Sequence, residues 1–156
     1  MTSARRGFLA ALVAAVLWVP WAAGAQGASP SVVFVCEHGA AKSLIATAYF
    51  NKLAAERGLK ARATFRGVAP QDALSVSAVA GLKADGLTIP EGHPTAVADS
   101  DVAQATHIFA IGCTLPKSAT ASGKSSSWDD VPDDQGYGPM RDAIVRHVRS
   151  VLDTLR

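Results

Sequence analysis

The sequence predicts an α/β fold: one doubly wound domain in which helices cover both faces of a parallel sheet. Three observations carry that expectation. A length of 156 residues suits one domain. Two short runs, "SVVFV" (31–35) and "THIFAIGC" (106–113), are apolar, rich in β-branched residues and free of Asp, Glu, Lys and Arg, as strands buried on both faces are. Helical stretches stand between and after the strands, and a β-α-β-α order favours parallel pairing.

The first 25 residues read as a removable leader, distinct from a domain spanning 26–156. Arg5 and Arg6 form its positive start and "FLAALVAAVLWV" (8–19) its apolar run. Pro20 stops that run, and Ala23-Gly24-Ala25 supplies a small-residue cleavage site. The run is shorter than the roughly 18 apolar residues of a membrane span, so an uncleaved anchor is the lesser reading. "ARRGFLA" fits a twin-arginine export signal about as well as an ordinary signal with paired arginines. The expectation is an exported, periplasmic protein with no stable membrane association after cleavage. Arg5 and Arg6 are two of the 15 Lys and Arg, so the remainder holds 13 basic against 13 acidic residues. The basic excess belongs to the leader, and no nucleic-acid surface is expected.

Beyond the first strand, 43–57 is helical. Leu44, Ala48 and Leu53 recur on one side, and Gly58 ends the helix. "ARATFRGV" (61–68) alternates as a second strand. "LSVSAVAGLKADG" (74–86) is a helix closing on Gly86, and "DVAQA" (101–105) a short one before the strand at 106–113. "PKSATASGKSSS" (116–127) is small and polar and reads as a loop. "PMRDAIVRHVRSVLDTLR" (139–156) is amphipathic. Ile144, Val148, Val151, Leu152 and Leu155 form its stripe, and Arg141, Arg146 and Arg149 its solvated face.

Ligands of such sheets bind beyond the carboxyl ends of the strands, and Cys36 stands at such an end. The amides of a short loop, together with the start of the next helix, bind anions. The same field favours a thiolate over a thiol. A thiolate at the floor of such a cradle is a nucleophile for phosphorus or a similar centre. Gly39, Ala40 and Ala41 keep side chains out of the way, Lys42 brings positive charge, and Ser43 can cap the helix or donate its hydroxyl to the thiolate. The plainer alternative is a cysteine packed as a small hydrophobe. Cys36 and His38 lack the second ligand pair of a metal site, so no metal or other cofactor is expected. His93, His107 and His147 stand alone and read as satisfied or surface residues.

Cys36-x5-Lys42-Ser43 after an apolar strand resembles the C-x5-R-S loop of the low-molecular-weight protein tyrosine phosphatases and of their relatives, the thiol-dependent arsenate reductases. The resemblance extends over the mature chain. "SWDDVPDDQG" (127–136) is similar to the family's Trp-containing loop with its Asp-Pro pair, and the closing helix to the family's last helix. The resemblance implies a four-stranded parallel sheet and a nucleophilic Cys36 that forms a phospho- or arseno-cysteine. It implies that the amides of Glu37, His38, Gly39, Ala40, Ala41 and Lys42 hold the oxyanion, with Ser43 on the thiolate. Asp133 is then the general acid, with Asp130 as a second candidate. Cys113 is the redox candidate that would attack the Cys36 adduct in a reductase. It otherwise reads as a packed residue or a disulfide partner of Cys36.

Four departures weaken the match. Lys42 replaces an arginine, giving a point charge instead of a bidentate fork. Gly39 replaces an asparagine, although both tolerate positive φ. Asp133-Asp134 stands for Asp-Pro, and Glu37 sets a carboxylate beside the cradle. The leading function is hydrolysis of phosphomonoesters of the tyrosine-phosphatase type. The alternatives are an arsenate reductase served by a thiol reductant and a non-catalytic oxyanion-binding module. The expected ligand is a phosphorylated or arsenate-like small anion. Phosphotyrosine would want an aromatic wall at the mouth, for which Tyr137 and Trp128 are the candidates.

Overall fold

The computed structural model describes residues 29–155, so the leader at 1–25 lies outside the described residues. β1 (Ser31–Cys36) runs through the middle of the sheet, paired in parallel with β2 (Arg62–Gly67) on one side and β3 (His107–Ile111) on the other. Its central place explains the charge-free run. Val32, Phe34 and Cys36 face one apolar layer while Val33 and Val35 face the other. β4 (Ser125–Trp128) pairs in parallel with β3 and completes four strands in the order β2-β1-β3-β4.

The larger layer lies under α1 (Lys42–Glu56), α2 (Val76–Ala84) and α5 (Tyr137–Thr154). Phe34 is its centre, with Phe50, Phe109 and Trp128 at ring-centroid distances of 5.8, 5.6 and 5.4 Å. The smaller layer lies under α3 (Asp99–Gln104) and α4 (Lys117–Ala121). Helices therefore cover both faces, as the element order predicts. No helix among the described residues is long and apolar enough to cross a membrane.

The span 116–127, read as a loop, instead holds α4 and most of β4. β4 is an edge strand held by its ladder with β3. Of its four side chains only Trp128 is buried, so "SSSW" carries almost no hydrophobic signal. α5 starts at Tyr137, before the predicted 139, with Pro139 in its first turn, where a missing N–H costs nothing. Two side chains on α5 are not simple surface groups. Arg141 is half-buried against Asp85. The His147 ring stacks on Trp128 at 4.7 Å, and its Nε2 is 2.6 Å from Asp130 Oδ1.

Asp85, just past α2, ties three helices together. It accepts hydrogen bonds from Tyr49 on α1 (2.6 Å) and from Tyr137 (2.7 Å) and Arg141 (3.2 Å) on α5. The Tyr137 ring lies flat on Gly81, where an added Cβ would come within 2.5 Å of it. The Tyr49 bond, then the Tyr137 bond, holds the Asp85 carboxyl below its usual range. A carboxyl lowered by folding stabilises above its unfolded value of about 3.9, and that contribution is lost as pH falls through the folded value. Asp85→Ala is expected to lower stability by about 3 kcal/mol at neutral pH, because it strands two tyrosine hydroxyls and a guanidinium. Denaturant melts should show that deficit shrinking toward acid pH. An equal deficit at pH 7 and in strong acid would mean that the carboxylate charge plays no part.

Candidate active site

β1 ends at Cys36, and the chain turns directly into α1 at Lys42. The loop can turn so tightly because Gly39 adopts φ +63° and lies against Gly67 at the end of β2. A Cβ at Gly39 would sit 2.8 Å from the Gly67 nitrogen, and one at Gly67 would sit 2.8 Å from the Gly39 nitrogen. Position 39 thus needs glycine for space as well as for φ, and asparagine would not fit this chain. The loop's outer side is fixed by Val68 and Ala69 N–H groups donating to the Glu37 carbonyl and by Gln71 N–H donating to the His38 carbonyl.

Cys36 is 4% exposed, and its Sγ lies 3.1 Å from the Ser43 Oγ, which is fully buried on the first turn of α1. Ser43 therefore serves the sulfur; Ala41 is the N-cap, and no side chain caps α1. Lys42 is 6% exposed, and its Nζ lies 2.5 Å from Asp133 Oδ1. The lysine runs past Gly112, which follows β3 at φ +60°; a Cβ there would lie 2.6 Å from Nζ. These groups open on a cavity of about 610 Å³. Cys36, Glu37, His38, Ala40, Ala41 and Lys42 line it from the loop and the start of α1, Gly112 from the end of β3, and Asp133 from the loop before α5. Among the described residues no cluster of His, Cys, Asp and Glu could hold a metal ion.

A model of the family described as low molecular weight phosphotyrosine protein phosphatase matches residues 31–124, more than half of the chain. The chain belongs to this family. Solved structures with the same fold include the thioredoxin-dependent arsenate reductase of Corynebacterium glutamicum, at 19% identity and TM-score 0.68, covering 83% of this chain and 63% of that one. The chain thus spans less than two thirds of that reductase. Another is the YwlE arginine phosphatase of Bacillus subtilis, solved as a cysteine-to-serine mutant with a phosphorylated active-site serine. That structure gives 17% identity and TM-score 0.69, over 80% of this chain and 95% of that one. A third is a low-molecular-weight phosphotyrosine phosphatase of Vibrio cholerae O395, at 14% identity and TM-score 0.67, over 81% and 96%. At these identities the likeness shows the shared fold. No curated protein matches the sequence. The family and these neighbours are enzymes, phosphatases or arsenate reductases.

The family match ends at 124, so the loop that supplies Asp133 lies beyond it. Val131, buried in the core, pins that loop and sends its acids to different places. Asp133 reaches the cavity. Asp130 turns to α5, where His147 and, at 3.9 Å, Arg146 hold it; the His147 bond keeps its carboxyl below the usual range. Cys113 does not line the cavity. It is half-buried against the opposite apolar layer, and its thiol donates to the Val35 carbonyl at 3.4 Å. Burial first, then the negative groups at Cys36 and Glu37, push that thiol up to about 11. Both cysteines are free.

Sequence reasoning did not single out Gly112, Gln71, Ser75, Ser77 or Met140, which complete the cavity. Gly112 had a signal: it follows directly on a buried strand, where ligand sites of such sheets gather. Gly112→Ala is expected to weaken phosphate binding about tenfold. Alanine at this φ costs about 1–2 kcal/mol, and its methyl group drives Nζ off its position. Calorimetric titration with phosphate checks this, and unchanged affinity would contradict the placement of Lys42.

Proposed function

We propose that this chain hydrolyses phosphomonoesters through a phosphocysteine at Cys36. The observation that carries the reading is the shared cavity. Cys36 Sγ lies 3.1 Å from the Ser43 hydroxyl, Lys42 Nζ lies 2.5 Å from Asp133, and Cys36, Lys42 and Asp133 line one cavity. In the first step the Cys36 thiolate attacks phosphorus, the P–O ester bond breaks, and the Asp133 carboxyl gives its proton to the leaving alcohol oxygen. Loop amides and Lys42 take the charge on the non-bridging oxygens. In the second step water attacks phosphorus, Asp133 accepts its proton, and the P–S bond breaks to return phosphate and thiolate. The ion pair with Asp133 holds Lys42 at the cavity before substrate arrives. An oxyanion that takes over Lys42 frees the carboxyl to carry its proton.

The test is hydrolysis of p-nitrophenyl phosphate, run beside thiol-dependent arsenate reduction, by the wild type and by Cys36→Ser and Cys113→Ser. Hydrolysis that needs Cys36 but not Cys113 supports the proposal; arsenate reduction that needs both cysteines would replace it. The reductase reading draws on Cys113, whose thiol lies 3.4 Å from the carbonyl of Val35, the residue before Cys36. Against it, a thiol titrating at about 11 is almost wholly protonated at neutral pH, whereas thiol–disulfide chemistry needs a thiolate. Asp133→Asn is expected to cut kcat/KM, which reports ester cleavage, by ~10²-fold for phenyl phosphate and far less for p-nitrophenyl phosphate, whose leaving group needs little protonation. Equal losses on both would remove Asp133 as the acid.

A further inference from the structure

No Phe, Tyr or Trp lines the cavity itself. Trp128 is 5% exposed, packed between Phe34, Phe109 and the ring of His147. Tyr137 lies on Gly81 with its hydroxyl on Asp85. Trp128 does not line the cavity, and Tyr137 lines a smaller pocket that adjoins it through Ala41, Ser77, Asp133 and Met140.

Met140 lines the cavity beside several polar groups, most of which are already engaged. The Gln71 amide donates to the Ala73 carbonyl, the Ser75 hydroxyl accepts from the Ala78 N–H and meets Ser77 Oγ at 3.0 Å, and His38 Nδ1 lies 3.2 Å from the Ala69 carbonyl oxygen. Glu37 is the exception. It is exposed, and its carboxylate has no hydrogen-bond or ion-pair partner among the described residues. Lys42, the cation lining the cavity, is held by Asp133. An exposed acidic residue with no partner among the described residues therefore lines the same cavity as Cys36 and Lys42. It repels a bare oxyanion and attracts a ligand that carries a cation beside its phosphate.

We infer that the substrate is a phosphomonoester of a short, non-aromatic alcohol bearing a positive charge, with its phosphate in the cradle and its cation at Glu37. This rests on the hydrolase reading and names its substrate class. Glu37 is then a specificity residue: its backbone shapes the loop, and its side chain selects the leaving group. The cation can belong to a small molecule or flank a phosphoserine in a peptide, and the carboxylate recognises both in the same way.

The test compares kcat/KM for O-phosphoethanolamine, phosphocholine, a lysine-flanked phosphoserine peptide, glycerol 2-phosphate and phosphotyrosine, in wild type and Glu37→Gln. The cationic substrates are expected to lead in the wild type. Glu37→Gln should lower them by about three- to tenfold and raise glycerol 2-phosphate, since one charge is removed from an exposed position. The peptide arm tells a macromolecular source from a small one. Where turnover is too slow to measure, the same order is read from Kd in Cys36→Ser with and without Glu37→Gln. A shift of all substrates in one direction, or a wild-type preference for phosphotyrosine, would overturn the inference while leaving the hydrolase reading intact. Absence of both turnover and inorganic-phosphate binding would overturn the hydrolase reading, and the substrate class with it.

Discussion

Cys36→Ser is expected to abolish phosphomonoester turnover, by about 10⁵-fold in kcat, and to leave the fold and phosphate binding in place. The loss is large because the other groups act through the nucleophile; without it, the cradle and the acid have no intermediate to serve. The fold should survive because the exchange is nearly isosteric and the buried hydroxyl inherits a partner. Ser43 Oγ already lies 3.1 Å from the sulfur, so no polar group is stranded at a site only 4% exposed. Phosphate binding should even tighten, since a thiolate no longer shares the cradle with the anion. Steady-state kinetics, a thermal melt and a phosphate titration on one preparation check all three. Turnover near the wild-type level would move the chemistry away from this loop.

Lys42→Met is expected to lower kcat/KM by about 10³-fold and to abolish measurable phosphate binding. The ammonium is the cation lining the cavity, and removing one preorganised donor from a transition-state cradle costs ~10²–10³-fold. Methionine matches the buried stem of the lysine and still clears Gly112, so packing is kept. Asp133 loses its partner, but its side chain is 74% exposed and returns to water at little cost. The expected pattern is therefore lost binding with an almost unchanged melting temperature. A large fall in melting temperature would show that Lys42 serves the fold; unchanged phosphate affinity would show that its charge does not face the anion.

The parts of this fold that sequence reveals are those in which one residue type has one physical use. β1 reads clearly because a central parallel strand must be apolar on both faces, and Val32 to Val35 are. The stripe of α5 reads clearly because Ile144, Val148 and Leu152 all enter one core. β4 does not read, since its place depends on backbone bonds to β3 and three of its four residues are serine. At the site, the spacing of Cys36, Lys42 and Ser43 suggests a cradle because the three fall within one strand-loop-helix turn, although Gly67 and the amides of Val68, Ala69 and Gln71 complete the loop. Three features need the tertiary structure. The choice of Asp133 over Asp130 depends on Val131 entering the core and on His147 engaging Asp130. The room for Lys42 depends on Gly112, far off in sequence. The lack of an aromatic wall depends on where Trp128 and Tyr137 point, and each serves the core or the helix network instead.

The measurement that bears most directly on the account is the trapping of a phosphoryl-cysteine. Protein mixed with p-nitrophenyl phosphate and quenched in acid within a single turnover is digested and examined by mass spectrometry. The account predicts a mass increment of one phosphoryl group on the peptide that holds Cys36. The increment should be absent from the peptide that holds Cys113 and should accumulate further in Asp133→Asn, where water attack slows. Turnover of that substrate with no phosphoryl group on Cys36 at any quench time would contradict it.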